Sequence, residues 1–259
     1  MTKIREVSTI DWYNFCWKCH NGEYIFEDNC VKEMFLESLN KALGKYIGVK
    51  ISAYTIMSNH VHLVIGGKLS QIESVTKSVG SRFAKAYHRY SGTTGEIFEG
   101  RYFSKPINDI NYYLCAMAYV FNNPVKANMV EKPQQYQYSN FKNIYEHNYK
   151  TQFKYLIDEQ VASSLVSEEE MVKFTLDNCH DVNEEDLELY PRDIVYDFQV
   201  RNKLQELVGD KISELKKQSS EYLSILVWEL LNFGSCVFQI ARVTGLGDYK
   251  VRTLARLLE

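Results

Sequence analysis

Apolar and polar positions alternate along one stretch of the chain and recur every three to four residues along several others. The run AYTIMSNHVHLVI, residues 53–65, has the alternation of a half-buried β-strand. Side chains at i and i+2 leave a strand on one face, so His60 and His62 point one way and Val61, Leu63 and Ile65 the other. A shorter strand is expected near Tyr13 to Lys18. Helical spacing predicts a helix from about Asn29 to Tyr46, with Met34, Phe35, Leu39 and Leu43 inward, and another from about Ser70 to Tyr90. The apolar stripe of the latter is Ile72, Val75, Val79, Phe83 and Tyr87; its other side carries Arg82, Lys85 and Arg89 at i, i+3 and i+7. That basic ridge is either a solvated face or a phosphate-contacting one.

The stretch INYYLCAMAYVFNNP predicts a further helix, capped by Asn108 or Asp109 and stopping near Pro124, because proline disfavours helical geometry in the residue before it. Its predicted buried stripe is Ile110, Tyr113, Leu114, Met117 and Phe121. Tyr119 falls off that stripe beside the small Cys115 and Ala116, and Asn123 shares its face four residues later. Beyond Lys150, SEEE and NEEDLE suggest an acidic helical connector. VFQIARVTGLGDYKVRTLAR then sets Ala241, Gly245 and Val251 at the spacing of a helix-turn-helix. Lys250, Arg252, Thr253 and Arg256 would lie on or near its exposed second helix; the alternative is two core helices joined by a glycine turn.

Composition narrows the classes. The 259 residues are 45% hydrophobic, enough for a real core, and no apolar run approaches the roughly 18 residues of a bilayer span. The start, MTKIREVSTIDWYN, lacks the apolar region of a signal peptide, so a cytoplasmic protein without membrane contact is expected. There the six cysteines would stay reduced. CWKCH at 16–20 has the spacing of a haem attachment site, and Cys16, Cys19 and Cys30 suggest a zinc site; buried free thiols are favoured over both. The net charge of -3 conceals a division: residues 70–130 carry seven bases against four acids, residues 150–200 thirteen acids against four bases. A polyanionic partner is therefore not excluded.

Two imidazoles roughly 7 Å apart at the backbone, from a rise of about 3.3 Å per residue, can converge on one divalent ion or line a solvated sheet face. If they bind an ion, the Asn123 amide oxygen is a candidate third ligand, and the ion would polarise a phosphate that Tyr119 attacks. A covalent phosphotyrosine would conserve the energy of the broken linkage. Arg101 and Lys105 flank Tyr102 and Phe103, a mixture suited to phosphate contact and base stacking.

In that order, MSNHVHLVI, GRYFSKPI and YVFNNPVKANMV resemble the single-tyrosine HUH transposases, especially their REP-associated tyrosine transposase branch. The resemblance covers roughly Tyr24 to Tyr138. It carries the HUH element onto His60-Val61-His62, the nucleophile onto Tyr119 and the third metal position onto Asn123, where insertion-sequence members usually have glutamine. NFCWKCHNGEY is an atypical first strand. The resemblance implies an α+β fold: a ferredoxin-like antiparallel sheet with packed helices, followed by an all-α helix-turn-helix region. The expected organisation is a catalytic domain over 1–147, an acidic helical connector over 148–200 and a DNA-binding region over 201–259. The implied activity is Mg²⁺- or Mn²⁺-dependent cleavage and joining of single-stranded or hairpin DNA through a 5′-phosphotyrosine, by a monomer or homodimer. The DNA contacts would come from Arg82, Lys85, Arg89, Arg101, Lys105, Lys250, Arg252 and Arg256. The competing readings are a catalytically silent DNA-binding regulator and a metal-dependent DNA hydrolase without a covalent intermediate.

Overall fold

A computed structural model of the chain describes residues 5–146, 165–177, 197–235 and 237–257. The chain divides into two compact units: Met1–His20 with Tyr24–Leu189, and Asn21–Glu23 with Tyr190–Glu259. The second boundary falls inside the acidic stretch read from the sequence as a connector. NEEDLE, at 183–188, lies outside the described residues.

The first unit is built on four antiparallel strands: β1 (Trp12–Lys18), β2 (Lys50–Ile56), β3 (His60–Gly66) and β4 (Phe103–Ile107), in the order β2-β3-β1-β4. Helix α1 (Asn29–Leu43) joins β1 to β2 and helix α2 (Leu69–Ser91) joins β3 to β4, giving the β-α-β-β-α-β element order. The run expected as one strand is instead a hairpin. Its break is a two-residue turn, Ser58-Asn59, across which the Met57 N–H donates to His60 O (2.9 Å). Strand β3 is also buried on both faces rather than one.

Odd-numbered residues of β1 and β3 face α1 and α2. Tyr13, Phe15, Trp17, Val61, Leu63 and Ile65 share a core there with Phe35 and Leu39 of α1 and Val75, Val79 and Phe83 of α2. The other face is covered by α3 (Ile110–Lys126), whose N-cap Asp109 accepts from the Tyr112 N–H at 2.8 Å. This helix runs through Pro124 instead of stopping before it. The proline lies in the last turn and is buried, and the Ala127 and Met129 N–H groups close that turn by donating to Asn123 O and Pro124 O (both 2.9 Å). One missing N–H near a helix end costs little when packing holds the segment.

The buried stripe of α3 is broader than predicted. Cys115, Ala116, Ala118 and Val120 are buried with Tyr113, Met117 and Phe121, whereas Ile110 is exposed. The reason is a second cover: Phe141 and Ile144 of α4 (Phe141–Tyr145) and Met171 of α5 (Glu168–Asp177) pack in the same core. Helix α5 begins at a reciprocal cap in SEEE, where the Ser167 N–H donates to Glu170 Oε2 (2.9 Å) and the Glu170 N–H to Ser167 Oγ (3.3 Å). Part of the acidic stretch thus belongs to the core around α3. The outer edge of β2 is paired by the segment before α4, through Ile56 N–H to Tyr138 O (2.9 Å) and through the Asn140 side chain to Tyr54 N (2.6 Å) and Ser52 O (2.9 Å).

The second unit contains α6 (Asp197–Val208), a 3₁₀ segment (Gly209–Lys217), α7 (Ser220–Asn232), α8 (Val237–Thr244) and α9 (Asp248–Ala255). Val200, Leu204, Val227, Leu230, Ile240, Val251 and Leu254 form its core. Between α8 and α9, Gly245 takes a left-handed conformation (φ 69°) that favours glycine. Ala241 and Val251 are buried, and Lys250, Arg252, Thr253 and Arg256 are exposed.

Candidate active site

The site grows from the alternation of β3. His60 and His62 leave its even-numbered face, toward α3, and their rings stand edge to face with centroids 4.8 Å apart. They are 0% and 1% exposed, so the reading of two solvated histidines does not hold. In the sheet register His62 lies between Cys16 of β1 and Thr55 of β2, and His60 lies opposite Lys18.

Burial holds the His60 imidazole well below its ordinary pKa, and the neighbouring His62 and Lys18 push it further. Burial lowers His62 to about 3. Both rings are therefore neutral near pH 7, the form in which imidazole binds metals. The His60 Nδ1–H donates to Asn59 Oδ1 at 2.6 Å, which sets the tautomer and leaves the lone pair on Nε2. His62 Nδ1 is buried with no hydrogen-bond partner among the described residues. Two neutral nitrogen donors on one face, one with its tautomer fixed from behind, fit a divalent ion. Among the described residues no three His, Cys, Asp or Glu side chains already converge as a closed cage.

Tyr119 stands above this pair. Its ring is edge-on to His62 with centroids 5.6 Å apart, and Lys126 Nζ lies 5.2 Å from the centre of the same ring. Asn123 is buried; its Nδ2–H donates to Tyr119 O at 2.8 Å. With the amide nitrogen turned to the helix backbone, Oδ1 is the atom of this side chain suited to a cation. His60, His62, Tyr119 and Asn123, distant in sequence, thus lie on one sheet face and the helix that covers it.

The basic residues separate. Lys105 shares the even face through its pairing with Asn14, two positions along β1 from Cys16. Arg82, Lys85 and Arg89 lie on α2, across the sheet from the histidines, and Arg101 is exposed just before β4. Of the aromatic pair, Tyr102 is not available for base stacking: it is buried, stacked on Phe15 (4.5 Å), with the Arg5 guanidinium 3.8 Å from its ring centre. Phe103, opposite Cys16, is 42% exposed. Lys18, Asn59 and Lys126 beside the site escaped the sequence reading, which weighed Cys16 only as a haem-attachment, zinc-site or buried thiol. The i+7 spacing from Tyr119 signals Lys126, and position i−1 to the first histidine signals Asn59. Cys16 and Lys18 needed the strand register. Cys16 is buried on this face, Cys19 is buried in the core on the other, and Cys30 is exposed, so these three thiols do not form a common zinc site.

A histidine pair on an antiparallel sheet is thus faced by a tyrosine on a packed helix. Residues 9–123 match the model of the IS200-like transposases. The match begins earlier than the sequence resemblance and takes in β1. Among solved structures, similarity is found to the REP-associated tyrosine transposase bound to a REP hairpin, at 14% identity over 58% of this chain and 89% of that one, with a TM-score of 0.45. A protein from Deinococcus radiodurans assigned as a transposase is 16% identical over 42% of this chain and 88% of its own, with a TM-score of 0.31. No curated protein matches the chain. Among the described residues no helix is long and apolar enough to cross a membrane.

Proposed function

We propose that the chain is a single-tyrosine HUH transposase that nicks and rejoins single-stranded or hairpin DNA. The observation carrying this reading is Tyr119, the tyrosine whose ring meets His62 on the face shared by both histidines. His60 and His62, with Asn123 Oδ1 as a further oxygen donor, would hold Mg²⁺ or Mn²⁺, which when bound supplies Lewis-acid polarisation of the scissile phosphate.

Tyr119 Oη attacks phosphorus and the P–O3′ bond breaks. The phenol proton passes to solvent and the departing 3′ oxygen takes one up, leaving a 5′-phosphotyrosine and a free 3′-hydroxyl. Free phenol has a pKa near 10, so the step needs phenolate stabilisation; Lys126, 5.2 Å from the ring centre, supplies a positive charge for it. Lys18 and Lys105 add positive charge on the same face and suit the flanking phosphates. Tyr119 is partly buried in the cover over the fully buried histidines, and an incoming strand would meet the site there. Mixing the protein with DNA labelled on the 3′ side of the cut and Mn²⁺ is expected to leave label on the denatured protein; two free ends and an unlabelled protein would refute the covalent step.

Asn59 is a positioning residue in this reading. Asn59→Ala removes the acceptor that fixes the His60 tautomer and is expected to weaken Mn²⁺ binding by about 10- to 100-fold, with little change in binding of the DNA alone. Calorimetric titration of the metal checks it; unchanged affinity would separate Asn59 from the metal.

The α8–α9 pair is read as a helix-turn-helix that positions the protein on DNA, supported by buried Ala241 and Val251 around the left-handed Gly245 and by exposed Lys250, Arg252 and Arg256. The basic ridge Arg82, Lys85 and Arg89, with Arg101, would serve DNA away from the reacting phosphate. Replacing Lys250, Arg252 and Arg256 by alanine should weaken binding to long DNA and lower the slope of log affinity against log salt by about one for each phosphate no longer neutralised. An unchanged slope would argue for two core helices without a role on DNA.

A further inference from the structure

We propose that the Phe103 ring is a stacking platform for a nucleobase of the single strand held at Tyr119, with Arg101 and Lys105 beside it for the neighbouring phosphates. The inference rests on the single-strand reading given above and deepens it by assigning a base contact, which none of His60, His62, Tyr119 and Asn123 supplies.

Register and coverage together place the ring. Phe103 is opposite Cys16 in the β4–β1 pairing, and Cys16 is opposite His62 in the β1–β3 pairing. Directly paired residues leave a sheet on one face, so Phe103 lies on the histidine face, two strands from His62 and roughly 10 Å away at the backbone for a strand spacing of about 4.8 Å. Along β4 that face carries Phe103, Lys105 and Ile107, and burial falls steadily from one end to the other: Ile107 is 0% exposed, Lys105 is partly buried and Phe103 is 42% exposed. Topology is the cause. Helix α3 starts at Ile110, just after β4 ends, shares a core with Ile107, Val64 and Ala53, and lies mainly over β2 and β3. It covers the Ile107 end of β4 and leaves the Phe103 end exposed.

Charge and chemistry identify the occupant. Strand β4 carries no acidic residue, Arg101 is exposed two positions before Phe103, and Lys105 follows two positions after it on the same face. Lys18, opposite His60, adds a further cation to this face. An aromatic ring between cations matches the alternation of base and phosphate along a single strand, where cations track the backbone and a ring accepts any base. A base inside a duplex is already stacked and paired, and reaches such a ring only by leaving the helix. The neighbouring Tyr102 is turned to the other face and engaged by Phe15 and Arg5, so within this aromatic pair the platform is Phe103.

Binding of the full chain to single-stranded oligodeoxyadenylate and to an abasic sugar-phosphate strand of equal length tests the proposal. It is measured with Mn²⁺ present and in the Tyr119→Phe background, so that binding is read without cutting. The oligodeoxyadenylate is expected to bind more tightly than the abasic strand by about tenfold or more. Phe103→Ala and Phe103→Leu should both lose that preference while binding the abasic strand as before, and Phe103→Trp should retain it. The salt dependence of binding should be unchanged in the Phe103 variants and shallower by about one in Arg101→Ala. Phe103→Leu keeps apolar bulk without a ring face, and thermal unfolding checks that each variant is folded. A leucine variant that keeps the preference, or an alanine variant that loses equally on both strands, would overturn the stacking role; adduct formation at Tyr119 is read separately on the unaltered chain. A chain that binds neither strand before any change at Phe103 would remove the single-strand reading itself, and the proposal with it.

Discussion

Tyr119→Phe is expected to abolish the covalent adduct with DNA, by at least about a thousandfold, while leaving the fold and DNA binding in place. The substitution removes one hydroxyl. The ring that meets His62 at 5.6 Å and Lys126 at 5.2 Å is kept, as is the backbone oxygen that accepts from Asn123. Two other tyrosines of α3 serve as controls. Tyr113 is buried, its hydroxyl donates to Ser52 Oγ, and its ring is edge-on to Trp12 at 5.1 Å. Tyr113→Phe should therefore lose about 1 kcal/mol of stability and keep the adduct. Tyr112→Phe should also keep it. Gel analysis of labelled DNA after denaturation checks all three, and persistent labelling of Tyr119→Phe would transfer the nucleophile elsewhere.

His60→Ala and His62→Ala are each expected to reduce cleavage to background, matching the effect of excess chelator on the unaltered protein. The two rings are neutral donors on one face, so removing either leaves one imidazole, too few to hold a divalent ion at working concentrations. Circular dichroism should report a preserved fold, since Val61, Leu63 and Ile65 keep the opposite face of β3 packed. Full cleavage by either variant, or activity undiminished by chelator, would remove the metal from the mechanism.

What the sequence made legible follows from periodicity. Alternation put His60 and His62 on one face, and the i, i+4 relation joined Tyr119 to Asn123, because both are local consequences of backbone geometry. The strand break at Ser58-Asn59 was hidden because apolar residues continue on both sides of a two-residue turn. The passage of α3 through Pro124 and the exposure of Ile110 depend on α4 and α5, which come from later segments and cover the helix. A helix's own period also leaves open which sheet face it packs on. The basic ridge of α2 was legible as a ridge, but its separation from the histidines by the thickness of the sheet was not. Cys16 and Lys18 reach the site through the β1–β3 register, a pairing between segments more than forty residues apart, which no local pattern encodes.

The central claim is that Tyr119 carries the DNA between cutting and joining. Digestion of the denatured adduct and tandem mass spectrometry of the nucleotide-bearing peptide tests it most directly. The expected result is a single modified residue, Tyr119, in the peptide containing YVFNNP, and reversal of the modification when a strand with a free 3′-hydroxyl is added before denaturation. A nucleotide on any other residue, or complete cleavage with no modified peptide, would contradict it.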